Sequence, residues 1–99
     1  MIDLMEIYLK VVGEEIENTA TGIKNKDLKR IGDSAHRMKS NVRMMGLHDI
    51  MTMLDEIEIN VREQKCSEDF YHEVQQVSNL LEKTLVKVKE QVDTAKATA

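Results

Sequence analysis

The sequence has no proline, no tryptophan, one phenylalanine, two tyrosines and a single cysteine, Cys66. Without proline, no residue forcibly breaks a helix, and long helical segments are permitted. With so few aromatics, the apolar bulk must come from leucine, isoleucine, valine and the seven methionines. A lone cysteine closes no internal disulfide and gives no sign of an oxidising compartment. Long apolar runs are missing too. None approaches the roughly 18 residues that span a bilayer, and Asp3 and Glu6 interrupt the start in a way that a secretory signal does not. Nor is the charge basic: 14 Lys and Arg stand against 18 Asp and Glu, a formal net charge of −4. That balance speaks against general nucleic-acid binding. The expectation is a cytoplasmic chain with neither membrane nor nucleic acid among its partners.

What the chain does contain is helix-forming residues in helical register. Its 99 residues suffice for one modest core and not for two. Ile2, Met5, Leu9, Val12 and Ile16 step by three and four, with Asp3 and Glu6 in capping-box spacing at the start. The polar stretch 18–26, containing Gly22, reads as the exit and turn. A second stripe runs through Leu28, Ile31, Ala35, Met38, Val42 and Met45, with Asn25 or Asp27 as its cap and Gly46 as its terminator. A third runs through Leu47, Ile50, Leu54, Ile57 and Val61. After a short turn at 63–66, Ser67 with Glu68 and Asp69 suits the start of a fourth helix, carrying Phe70, Val74, Val77, Leu81, Leu85, Val88 and Val92. Beyond about Asp93 nothing remains to bury. Residues 1–93 are therefore expected to form a single domain and 94–99 a frayed tail or linker. Four such stripes with short connections predict an all-α, antiparallel up-down four-helix bundle.

The second helix is unusual on its polar side. At about 100° per residue, Lys29, Gly32, Lys39, Ser40 and Arg43 all fall within roughly 60° of His36, and the apolar arc begins beyond them. His36 is thus predicted to face water, with a lysine one turn away and the small residues Gly32 and Ser40 below and above it. A neutral imidazole with an open approach can attack an aspartyl phosphate in line. A neighbouring ammonium stabilises both the charge on the moving phosphoryl group and the phosphohistidine that results. The basic stripe stands out against an acidic whole, and Met44, off the main apolar arc, is a candidate exposed contact for a partner.

Ala35-His36-Arg37-Met38-Lys39-Ser40, followed by Gly46 ten positions after the histidine, resembles the signature of the histidine phosphotransfer (HPt) domain family. The resemblance covers nearly the whole chain and implies the same four-helix bundle, with the phosphoacceptor histidine on the second helix. It further implies that His36 accepts a phosphoryl group at Nε2, with Lys39 as electrostatic helper, from a receiver-domain aspartate and returns it to another. The implied partners are the receiver domains of a hybrid sensor kinase and of a response regulator. The implied chain is a monomer without autokinase activity, ATP site, metal or other cofactor, any Mg²⁺ belonging to the receiver. Lys29, Gly32, Ser40, Arg43 and Met44 are the expected partner-contacting residues. Two positions depart from the family pattern. Serine stands at 40 in place of the usual glycine, and arginine at 43 in place of a small residue.

Three other readings compete. Asp33-x-x-His36 and Asp69-x-x-His72 have the spacing of di-metal bundle ligands, but Asp33 and His36 lie roughly 100° off the apolar arc. A kinase dimerisation helix pair would place an acidic residue after its histidine and a proline later; here Arg37 follows and proline is missing. A helical interaction module without chemistry would leave His36, His48 and His72 as surface residues, Cys66 as an inert thiol and Gly32 as an accident.

Overall fold

Periodicity of three and four becomes helix almost everywhere. The computed structural model describes residues 2–98 and holds four helices: α1 (Ile2–Asn25), α2 (Leu28–Met44), α3 (His48–Arg62) and α4 (Glu68–Thr98). They run alternately up and down. Glu15 meets Arg37, His36 meets Glu58, and Lys26 meets Glu68, so α1 is antiparallel to α2, α2 to α3, and α1 to α4. α4 has 31 residues, about 46 Å at 1.5 Å per residue, which accounts for the 48 Å long axis of the molecule.

The core is the expected set of stripe residues. Val12, Ile16, Ile31, Ala35, Met38, Val42, Leu54, Ile57, Phe70, Val74, Val77, Leu81, Val88 and Val92 are buried. Leu28, Met45, Ile50, Val61 and Leu85 pack at its edge. One large core residue lies outside the predicted stripes. Tyr8 is buried, with its hydroxyl 2.6 Å from Thr84 Oγ1. Thr84 gives its only hydroxyl proton to the Leu81 carbonyl at 2.6 Å, so Tyr8 is the donor to Thr84. Burial raises the Tyr8 pKa and the Thr84 contact partly offsets it.

All three connections close with one device. The N–H groups of Lys26 and Asp27 donate to Ile23 and Gly22, those of Gly46 and Leu47 to Arg43 and Val42, and those of Gln64 and Lys65 to Val61 and Asn60. Each is a Schellman closure with a left-handed residue after the helix: Lys26 at φ 51°, Gly46 at φ 73° and Gln64 at φ 57°. Gly46 is thus the terminator that the sequence suggested, and Asp27 caps α2 by accepting from the Arg30 N–H.

Four expectations are corrected. Residues 18–25 are helix, not turn, because Gly22 is a crossing point: a Cβ there would sit 2.7 Å from Ile31 Cγ1. Its bare Cα lets the start of α2 pack directly on α1. α1 is already helical at Ile2, ahead of the Asp3 expected to cap it; the side chains of Ile2 and Asp3 lie outside those described. Leu47 precedes α3 as its N-cap and is not part of that helix. α4 continues through Thr98 where fraying from residue 94 was expected, and Lys96 pairs with Glu6 of α1 at 3.2 Å; residue 99 lies outside the described residues. Among the described residues no helix is long and apolar enough to cross a membrane.

Two substitutions test this packing. Ser34 Oγ is buried without a hydrogen-bond partner, so Ser34→Ala should raise stability by about 1 kcal/mol. Gly22→Ala should lower it by about 1–2 kcal/mol despite the better helix propensity of alanine, because the buried Ile31 must shift. Urea unfolding midpoints at constant m read both changes.

Candidate functional site

α2 has three working faces. The apolar face enters the core. A second face turns to α1: Arg37 pairs at 3.3 Å with the buried Glu15, and Arg30 lies 3.7 Å from Asp27 and 3.5 Å from Asn18 Oδ1. Arg30 and Arg37 are therefore tied to their own chain. The third face meets α3 and carries His36.

His36 stands in solvent, its side chain 74% exposed. Nδ1 lies 3.1 Å from Glu58 Oε1 on α3. An ionised carboxylate only accepts, so this contact places the imidazole proton on Nδ1 and leaves the Nε2 lone pair free. The same Glu58 oxygen lies 3.3 Å from Lys39 Nζ, and Asp55 Oδ1, one turn earlier on α3, lies 2.8 Å from it. One carboxylate thus holds both the ring and the ammonium, and a second holds the ammonium alone. Lys39 is only 19% exposed at its side chain, so its stem is covered and its charged head is directed into this cluster.

The approach of α3 that makes these contacts possible depends on Gly32. A Cβ there would lie 3.1 Å from Val61 Cγ1, so the missing side chain has a packing reason within this chain. Gly32, Lys29, Asp33, Glu58 and Arg62 also line, with His36, an open groove between α2 and α3. Ser40 and Arg43 are exposed one and two turns beyond the histidine, with Arg43 Nε 3.4 Å from Met51 Sδ. Met44 is 60% exposed, as its position off the apolar arc predicted. Lys29, Gly32, Ser40 and Arg43 lie on the side of α2 that presents His36, whereas Met44, about 80° round the helix, lies nearer the edge that carries Arg37.

Sequence reasoning missed Asp55, Glu58 and Arg62. The first two sit on the polar side of the third stripe, three residues apart, and nothing local distinguishes them from other exposed acids. The signal available was pairing: two helices joined through Gly46 must be antiparallel, and counting outward from that turn sets residues 55–58 opposite 36–39. His48 and His72 are exposed. Cys66 Sγ lies 3.5 Å from the Asn60 carbonyl, and burial raises the thiol pKa.

The Lys39 contact with Asp55 shifts both groups. The hydrogen bond to Lys39, then its charge, lowers the Asp55 pKa, and Arg43 and Arg62 add to this. The Asp55 hydrogen bond, ahead of Glu58, raises the Lys39 pKa. A lowered carboxylate pKa contributes stability above the ordinary carboxylate range and loses it as pH falls through the shifted value. A raised lysine pKa contributes below the ordinary lysine range and loses it as pH rises through the shifted value. The pair is therefore fully formed between about pH 4 and pH 10. Unfolding midpoints of the parent and Asp55→Asn, followed against pH, should differ most in that window and converge at both extremes.

Comparison with known proteins gives the family of the chain. Residues 3–97 match the family model described as the Hpt domain. No curated protein and no solved structure is a significant match. The match takes in all four helices of the bundle almost from end to end, and on that ground the chain belongs to the Hpt domain family.

Proposed function

We propose that His36 is the phosphoryl acceptor of this chain, taking the group from a receiver-domain aspartate and passing it to another. Membership of the Hpt family gives the chain a histidine phosphotransfer role in two-component phosphorelays. The observation that carries the finer reading is the exposed imidazole with Nδ1 engaged by Glu58 and Nε2 open to solvent.

In the forward step the Nε2 lone pair forms the N–P bond as the bond from phosphorus to the aspartyl oxygen breaks. The carboxylate leaves with that electron pair. The ring becomes an imidazolium that keeps its Nδ1 proton, and Glu58 stabilises the positive charge that develops there. Lys39 supplies positive charge to the phosphoryl oxygens. The reverse step, onto a second receiver, runs through the same geometry. Mg²⁺ belongs to the receiver in this reading, and the chain contributes no metal, ATP site or autokinase activity. Lys29, Gly32, Ser40, Arg43 and Met44 form the rim against which receivers dock, the positive charge of Lys29 and Arg43 complementing an acidic receiver mouth. The chain is read as a cytoplasmic monomer serving a hybrid sensor kinase and a response regulator.

Mixing the protein with a phosphorylated receiver should give acid-labile, alkali-stable label on the chain. His36→Gln should abolish it while leaving the helical circular dichroism unchanged. Label that persists in the variant would assign the acceptor to another residue.

A further inference from the structure

We propose that Asp55 is a positioning residue that holds the Lys39 ammonium away from the phosphoryl site and so restrains phosphorylation of His36. This rests on the reading of His36 as acceptor and Lys39 as its helper.

The two carboxylates at Lys39 are not equivalent. Glu58 touches both Lys39 and the imidazole, so its charge serves the ring as well as the ammonium. Among the described residues Asp55 has its one ion pair within 4 Å with Lys39 and none with the imidazole, and at 2.8 Å it is the shorter of the two Lys39 contacts, Arg43 and Arg62 acting on it from farther off. An ammonium has three protons in fixed tetrahedral directions. With one directed at Asp55 and one at Glu58, Lys39 must turn from Asp55 to give the incoming phosphoryl oxygens more than a single donor. Asp55 therefore competes with the phosphoryl group for the same charge. Its side chain is 51% exposed, so water and salt weaken the hold and the exchange is readily made. The restraint is modest, on the order of a two- to fivefold effect on rate.

A second route gives the same direction by a different cause: the Asp55 charge can repel the phosphoryl group without Lys39. Combining substitutions separates the two, because an effect that acts through Lys39 disappears when Lys39 is gone. Phosphoramidate is a suitable donor, since it has no docking surface. In its zwitterionic form Nε2 attacks phosphorus, the P–N bond breaks, and ammonia leaves with the bonding pair. Asp55→Asn should label His36 about threefold faster than the parent, and Asp55→Asn should change nothing in a Lys39→Ala background. Equal or slower labelling in Asp55→Asn would overturn the proposal, as would an acceleration that persists undiminished without Lys39. Those outcomes leave the acceptor reading standing if the parent is labelled on His36. Absence of label on His36 in the parent overturns the acceptor reading and this restraint with it.

Discussion

The seam between α2 and α3 sets everything that the exposed face can do. Gly32 lets Val61 approach closely, and from there the contacts climb the pair in order: His36 with Glu58, Lys39 with Asp55, Arg43 with Met51. Their sequence separations shrink toward the turn at Gly46, as an antiparallel pair requires. The register is unforgiving, since a slip of one residue turns a helical side chain through about 100°. Glu58 would then face away from the imidazole, and no other acid on α3 would take its place in the same geometry.

Exposed and covered charges share the work unequally. Glu15 is nearly out of solvent, and Arg37 keeps it from being an unpaired buried charge, whose cost would be large. The cluster at His36 is wetter, since His36 and Asp55 are more than half exposed, and ion pairs open to solvent on one side contribute modestly to stability. Its value is orientation: it fixes a tautomer and points an ammonium. An arrangement with little stake in stability can exchange partners during a reaction, which a buried salt bridge cannot do without disturbing the fold.

The parts of this architecture legible in the sequence are those written in local periodicity. Stripes such as Ile31, Ala35, Met38 and Val42 appear in the core where they were expected, because each position on a helix fixes the next. The outward direction of His36 follows from the same rule. What escaped is what depends on a second helix. Gly22 and Gly32 look like helix-weakening residues until the neighbour that crosses them is known. Tyr8, three residues after Met5 and four before Val12, is in register with the first stripe, but the partner that satisfies its buried hydroxyl, Thr84, lies on another helix. Asp55 and Glu58 become meaningful only when α2 lies beside them. The family signature supplied the histidine and lysine, and the interhelical register supplied their partners.

The three connections have a consequence for recognition. Each turn is closed by two backbone hydrogen bonds within a few residues, and two of them hold a lysine and a glutamine in a conformation that L-residues adopt at a cost of about 1 kcal/mol. Loops so short and so firmly bonded have no slack with which to reshape the bundle around a visitor. The imidazole stands on a helix whose two ends are both closed by such turns. Short, bonded connections of this kind favour rigid-body encounter, in which the fit of surfaces to a preset shape selects among visitors.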